Sequence, residues 1–316
     1  MKRKGRETRG RGDTEIKTKS SRRRLVSSSD LFAIPSPRPR VSESPRQSFL
    51  PSKRFGQNFL TDKRVINRII EALGPGADET IVEIGPGRGA LTAPLLERAG
   101  CLVAIEFDRN LIPLLTENFG AHKNFKLIES DALVTDICDV IQPATSARVV
   151  ANLPYNVATA ILQKLIPQRH CLSEMVVMLQ REVVDRITAL PASGERGYLS
   201  VFIQAYCECE PLFDVAPSSF RPAPKVWSSV IKLTLRPQIA VEVNDEKLLW
   251  QIVSAGFAQR RKTILNNLRS APPPLAESIK SRGGASIILC QAEVGLQRRA
   301  ETLTLEEWAR ITRALE

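Results

Sequence analysis

Short apolar runs alternate with stretches whose apolar residues recur every three or four positions, beginning a little after residue 60. Val65, Ile66, Ile69, Ile70 and Leu73 share one face of a predicted helix, with Thr61 placed to cap its start and Gly74 to end it. The runs Thr80–Ile84, Leu102–Glu106, Phe125–Glu129, Arg148–Ala151 and Glu174–Leu179 are short, rich in β-branched residues and read as buried strands. Between them, helical spacing predicts a helix around Leu91–Arg98 closed by Gly100, one reaching about Phe119, and one through Leu165. Cys207 and Cys209 alternate within an apolar stretch as one face of a strand does. Strands alternating with helices predict a parallel sheet covered by helices on both faces. After a strand at Ser229–Leu235 and Pro237 the pattern turns helical. Leu248, Leu249, Ile252, Val253 and Phe257 trace one face, and Thr304 with Glu307 forms a capping box before a last helix carrying Trp308 and Ile311. The expected architecture is an α/β, Rossmann-like domain over 53–238 followed by a small all-helical domain over 239–316.

Charge changes this picture at one end only. Residues 1–54 hold 16 Lys and Arg against 5 Asp and Glu, which is the whole of the chain's formal net charge of +11. The body is therefore electrically balanced, and any nucleic-acid surface on it must be a local patch. Residues 1–52, rich in Arg, Lys, Ser and Pro, cannot bury enough apolar area to offset their ordering entropy and are expected to be a disordered basic tail. An RNA-binding arm, a targeting segment and an inert extension all fit such a tail, although Glu7, Asp13 and Glu15 are unusual for a transit peptide. No run approaches 18 apolar residues, so no membrane span is expected and a reduced, cytoplasmic compartment fits best. The six cysteines contain no C-x-x-C pair, and the two histidines are His122 and His170, so neither a metal site nor a disulfide framework is expected.

The first candidate for chemistry is Glu83-Ile84-Gly85-Pro86-Gly87-Arg88-Gly89, which joins a strand to a helix. Glycines there let a backbone approach a ligand at the place where doubly wound sheets bind nucleotides. Glu106 follows Gly85 by 21 residues, at the end of the next strand, where a carboxylate can accept from both ribose hydroxyls. These features are shared with NAD proteins and with unliganded tight turns. Glu83 before the glycines and Asp131 after the third strand favour S-adenosylmethionine, since a pyrophosphate is poorly served by a carboxylate-rich pocket.

The second candidate is Asn152-Leu153-Pro154-Tyr155, at the end of the fourth strand on the same edge. The lone pair of an adenine N6 amine is delocalised into its ring. Two acceptors, the Asn152 side-chain oxygen and the Leu153 carbonyl, can draw the amine toward tetrahedral geometry and stabilise its developing positive charge. Pro154 stiffens the turn, and Tyr155 offers a flat face to an extruded base.

With these segments in place, the chain resembles the ribosomal RNA small-subunit (16S) adenine N6,N6-dimethyltransferase A family from Arg54 to about Arg313. The match includes Phe55–Leu60, Gln180–Glu182, Ser219–Val226, Gln259–Thr263 and Arg299–Leu303 besides the two segments above. The resemblance implies cofactor contacts at Asn58, Leu60, Gly85, Gly87, Glu106, Asp131 and Asn152. It implies that Phe220 covers the face of the base opposite Tyr155, and that Arg221, Lys225, Arg260, Arg261 and Lys262 meet rRNA, the last three opening a helix. The implied reaction dimethylates two adjacent adenines in a hairpin near the 3′ end of small-subunit rRNA, on a pre-30S particle, by a monomer. Arg221 departs from the pattern, standing where an uncharged residue is common. A large-subunit rRNA methylase, an assembly checkpoint that acts by binding, and a mitochondrial transcription-factor relative are the alternatives.

Overall fold

The computed structural model describes residues 58–316. The expected basic tail lies outside them, as does the start of the resemblance at 54–57. The strands are β1 (Phe59–Leu60), β2 (Thr80–Ile84), β3 (Cys101–Glu106), β4 (Phe125–Glu129), β5 (Ala147–Asn152), β6 (Leu172–Gln180), β7 (Cys207–Val215), β8 (Phe220–Arg221) and β9 (Ser228–Leu235). The helices of the first part are α1 (Lys63–Leu73), α2 (Thr92–Leu96), α3 (Ile112–Phe119), α4 (Ile137–Val140), α5 (Ala158–Leu165), α6 (Arg181–Thr188) and α7 (Tyr198–Tyr206). The last part holds α8 (Glu246–Gly256), α9 (Ile264–Arg269), α10 (Leu275–Ser281), α11 (Ala285–Gln291) and α12 (Leu305–Arg313).

The main sheet runs in the order β4-β3-β2-β5-β6-β9-β7. Its first five strands are parallel, while β9 is antiparallel to both β6 and β7, so the sheet is mixed and not wholly parallel as the alternation predicts. The pleat divides the apolar runs between two cores. Val82, Val103, Val149 and Met175 pack on one face with α5 and α7. Their neighbours Ile81, Leu102, Val150 and Val176 pack on the other with α1 and α2. This period of two within each run is why strands buried on both faces read as unbroken apolar blocks. The register sets Ile84 beside Ile105 and Ala151, so the parallel strands present their carboxyl ends along one edge. From β2 the chain winds outward through β3 to β4, then crosses back to β5 on the other side of β2, and ligands of doubly wound sheets bind at such a reversal.

Several boundaries differ from the sequence reading for local reasons. Asp62, not Thr61, caps α1: its carboxylate accepts from Arg64 N–H at 2.9 Å. The Thr61 hydroxyl donates instead to the Ser219 carbonyl at 3.1 Å, strapping the start of the chain to the β8 region. Gly74 does end α1, in the left-handed region. Helix α2 stops at Leu96, earlier than Gly100, whose α-carbon lies so close to the Ala77 carbonyl that an added Cβ would sit 2.3 Å from it. Helices α6 and α7 lie in a stretch for which the apolar spacing predicted no helix.

The cysteine expectation is overturned. Cys138 and Cys171 form a disulfide, and His170 Nε2 lies 3.1 Å from Cys138 Sγ. The sequence separation of 33 hides the pairing from any spacing rule, because only the fold brings α4 to the turn before β6. Cys207 is buried and Cys209 half-buried on β7, as their alternation predicts.

After β9, Leu249, Ile252 and Val253 of α8 build a third apolar core with α9, α11 and the fully buried Trp308. Thr304 accepts from Glu307 N–H at 3.2 Å, and the Glu307 carboxylate accepts from Thr304 N–H at 2.8 Å, completing the predicted capping box. Thr304→Ala should therefore lower stability by about 1 kcal/mol while Thr304→Ser leaves it nearly unchanged, read from urea midpoints at constant m-value.

Candidate active site

A cleft of about 230 Å³ opens at the carboxyl edge of β2, β3, β4 and β5. The glycine turn between β2 and α2 forms one wall. Gly85, Gly87 and Gly89 adopt φ values of +67°, +59° and +84°, a region that strains other residues. Gly89 is also crowded, since a Cβ there would meet the Phe119 ring at 2.3 Å. The strand ends are tied together along this edge: Gly85 N–H of the turn donates to the Ile105 carbonyl at 2.9 Å, and Ser130 N–H after β4 donates to the Glu106 carbonyl at 3.0 Å.

Glu106 ends β3 almost wholly buried. Its Oε2 accepts from Gly87 N–H at 3.1 Å and its Oε1 from Asp108 N–H at 2.8 Å. Each carboxylate oxygen has two acceptor positions, so this fixed group can still accept from a pair of vicinal hydroxyls. Burial raises its affinity for a proton, and the backbone donors of Asp108, Gly87 and Phe107 oppose that rise. Glu83, one strand over, is 2% exposed and accepts from the Thr92 hydroxyl at 2.6 Å. Desolvation pushes its pKa up to about 8, with the neighbouring Glu106 adding to the rise. Asp131 lines the far wall, its Oδ1 accepting from Leu133 N–H at 2.9 Å to fix the turn that leads to α4. Two buried acids whose ionisation is disfavoured, and a third at the rim, make a pocket suited to a cationic ligand.

Asn152 is the last residue of β5 and faces the same cleft. Its Nδ2 donates to the Asn58 carbonyl at 3.2 Å, which orients the amide and leaves Oδ1 as an acceptor. Leu153 N–H donates to the Met178 carbonyl at 3.2 Å, and the Pro154 carbonyl accepts from Ala158 N–H at 3.0 Å, so the turn is held from both sides. The Tyr155 hydroxyl is 2.7 Å from that of Ser228, the first residue of β9, and Tyr155 is half-buried at the cleft.

The structure thus brings Asn58, Leu60, Gly85, Gly87, Glu106, Asp131 and Asn152–Tyr155 around one cleft. It does not bring Phe220 there. Phe220 is 1% exposed, pairs with Leu60 across the β1–β8 ribbon and packs into the apolar core. Pairing with β1 covers its ring, which no sequence spacing could reveal. Arg221 stands beside a second cleft that it shares with Phe59 and Arg88. Lys225 is exposed, as are Val226 and Trp227 after it. Arg260, Arg261 and Lys262 are exposed but do not open a helix; they form the turn before Thr263, which caps α9. The Arg260 guanidinium donates to the Gly194 carbonyl. Ser228 and Thr92 escaped the sequence reading, because a buried hydroxyl has no periodic signature.

The family model described as ribosomal RNA adenine dimethylase matches residues 49–310. The ribosomal RNA small subunit methyltransferase A of Saccharophagus degradans is 40% identical over 272 residues, covering 86% of this chain and 97% of the relative. The protein of the same name from Shouchella clausii is 43% identical over 277 residues, covering 85% and 91%. Among solved structures, the 23S rRNA methyltransferase ErmE superposes with a TM-score of 0.60 at 25% identity, covering 82% of this chain and 99% of that one. A dimethyladenosine transferase from Plasmodium falciparum superposes with a TM-score of 0.65 at 22% identity, covering 80% and 95%, a likeness of fold.

The raised pKa of Glu83 has a measurable consequence. Unfolded, the carboxyl ionises near its ordinary 4.5; folded, it holds its proton to about 8. Its contribution to stability is complete below 4.5, is lost as pH rises, and levels off above about 8. Thermal melting from pH 5 to 9 should show wild type losing stability relative to Glu83→Gln across that window. A pH-independent difference would mean that Glu83 is ionised in the fold.

Proposed function

Since the chain belongs to the ribosomal RNA adenine dimethylase family, we propose that it converts two adjacent adenines in a hairpin near the 3′ end of small-subunit rRNA to N6,N6-dimethyladenine. It is an S-adenosylmethionine-dependent rRNA adenine dimethyltransferase, and the observation that carries the finer reading is the Asn152–Tyr155 turn sharing one cleft with Glu106 and the glycine turn. The residues present suit the cofactor. Glu106 keeps acceptor positions for ribose hydroxyls, Asp131 suits an adenine amine, and Glu83 and Glu106 favour a cation. Asn58, Leu60, Gly85, Gly87 and Asn152 complete that wall. When bound, S-adenosylmethionine supplies an electrophilic methyl group on a sulfonium centre.

The work left to the protein is to make a poor nucleophile reactive. Asn152 Oδ1 and the Leu153 carbonyl accept hydrogen bonds from the adenine N6 amine and stabilise the charge that develops on it. This interaction strengthens toward the transition state. The Asn58 carbonyl helps by holding the Asn152 amide in the accepting orientation. Tyr155, steadied by Ser228, offers its face to the base, and Pro154 limits the turn's freedom. Arg221, Lys225, Arg260, Arg261 and Lys262, all exposed, contact phosphates of the rRNA.

The remaining parts follow from charge and packing. Residues 53–238 act as the methyltransferase domain, 239–316 as an rRNA-binding helical domain, and 1–52 as a basic tail. A neutral body binds naked RNA poorly, which favours a pre-30S particle as substrate and a monomeric, cytoplasmic enzyme. No helix among the described residues is long and apolar enough to cross a membrane.

Asn152→Ala should lower turnover by about a hundredfold or more while affinity for the rRNA substrate stays within about twofold. Methyl incorporation into small-subunit particles and fluorescence anisotropy measure the two quantities. Wild-type turnover by the variant would remove Asn152 from the mechanism. Tyr155→Ala should weaken capture of the base by about 1–3 kcal/mol, read as a raised KM on limiting RNA. Mass spectrometry of small-subunit rRNA from cells with and without the protein tests the product itself.

A further inference from the structure

Away from the cleft, Cys138 in α4 and His170 and Cys171 before β6 bring two sulfurs and an imidazole nitrogen within 4.8 Å of one another. The two sulfurs are bonded in the structure, with Cα atoms 5.7 Å apart, and His170 Nε2 lies 3.1 Å from Cys138 Sγ. We propose that the reduced form of this cluster is a binding site for one zinc-class divalent cation, held by Cys138 Sγ, Cys171 Sγ and His170 Nε2.

The main observation is that the cluster does not depend on the sulfur–sulfur bond for its frame. Gln168, largely buried, accepts from Ile137 N–H at 2.6 Å through Oε1 and donates from Nε2 to the Lys164 carbonyl at 3.0 Å. That side chain ties the first turn of α4 to the segment carrying His170 and Cys171. Cys171 is fixed in turn, its N–H donating to the Gln168 carbonyl at 3.0 Å and its carbonyl accepting from Ala147 N–H at 2.9 Å. The three donors therefore stay close when the disulfide opens. Two thiolates and an imidazole suit zinc over hard cations, with a water completing a tetrahedron. His170 is exposed and Cys138 half-buried, so an ion can enter from solvent.

A dithiol reductant gives two electrons and two protons; its own sulfurs become bonded, and Cys138 and Cys171 become thiols. The cation then displaces both thiol protons to solvent as two metal–sulfur bonds form, and the imidazole donates its lone pair. Either state links α4 to the β6 lead-in, so the turn that begins at Asp131 and runs into α4 stays clamped in oxidising and reducing surroundings alike.

The test uses full-length protein reduced with dithiothreitol, desalted under argon and titrated with zinc chloride against a chromophoric chelator. Reduced wild type should bind one equivalent per chain and melt at higher temperature with zinc than without. Protein whose disulfide has been re-formed should bind none at the same site. Cys138→Ser and His170→Ala should each weaken binding by about tenfold or more. Cys290→Ser, which alters an exposed cysteine on α11, should bind as wild type does. His170→Ala keeps both sulfurs and removes an exposed side chain, so it decides the matter if Cys138→Ser fails to fold. Reduced protein that binds no zinc, equal binding by both redox forms, or wild-type affinity in His170→Ala would each overturn the assignment and leave a plain disulfide.

Discussion

The hydrogen bond from Gly87 N–H to the buried Glu106 carboxylate joins the glycine turn of β2 to the end of β3, and the cleft takes its shape from that bond. Without it the buried carboxylate would lose one of the backbone donors, beside those of Phe107 and Asp108, that offset its desolvation. An unmet buried carboxylate is costly, so the glycine conformation and the acid position enforce each other. The parallel register makes the bond available. Glu83 pairs with Ala104, which places the glycines after Ile84 level with the residues after Ile105. The same register sets Ala151 beside Ile84, so Asn152 arrives at that edge by sheet geometry alone.

Electrostatics follow from this closeness. Glu83 and Glu106 lie on adjacent strands in an apolar setting, where two negative charges are unfavourable together. The protein answers by leaving Glu83 protonated up to about pH 8 and by giving Glu106 the backbone donors of Gly87, Phe107 and Asp108. A cationic ligand removes the need for that proton. Binding energy is thereby coupled to proton release, and an anionic pyrophosphate meets a pocket of the wrong sign. The same argument separates this glycine turn from the dinucleotide-binding turns that share its spacing.

Elements whose signal is local were legible in the sequence. Strands β2 to β6, the Gly74 cap and the Thr304–Glu307 box each depend on residues within a few positions of one another. The glycine turn and the Asn152–Tyr155 turn were legible too, because a ligand demands particular residue types at strand ends. Features made by distant pairing were not. The disulfide joins positions 33 apart, the β1–β8 ribbon joins 59 to 221, and Ser228 meets Tyr155 across 73 residues. Arg260–Lys262 were misread for a subtler reason: Thr263 is a better cap than any of the three cations before it, so the helix starts after them.

The β1–β8 ribbon explains how one short segment serves two sides of the site. Thr61 and Asp62 N–H groups both donate to the Ser219 carbonyl, at 2.9 and 3.3 Å, and Ser219 Oγ returns a bond to the Asp62 carboxylate at 3.2 Å. This knot anchors residues 59–62 at their carboxyl end. Just before the knot, Phe59 lies beneath the Arg88 guanidinium at 4.8 Å, and Asn58 accepts from the Asn152 amide. The segment therefore touches the cofactor wall through Arg88, the chemical centre through Asn152 and the aromatic Phe220 through strand pairing. Displacing it would release the Asn152 amide from its orienting carbonyl, while Phe220 lies in the apolar core it shares with Val215 and Val230. The segment is thus a wall of the cleft on whose position the accepting orientation of Asn152 Oδ1 depends.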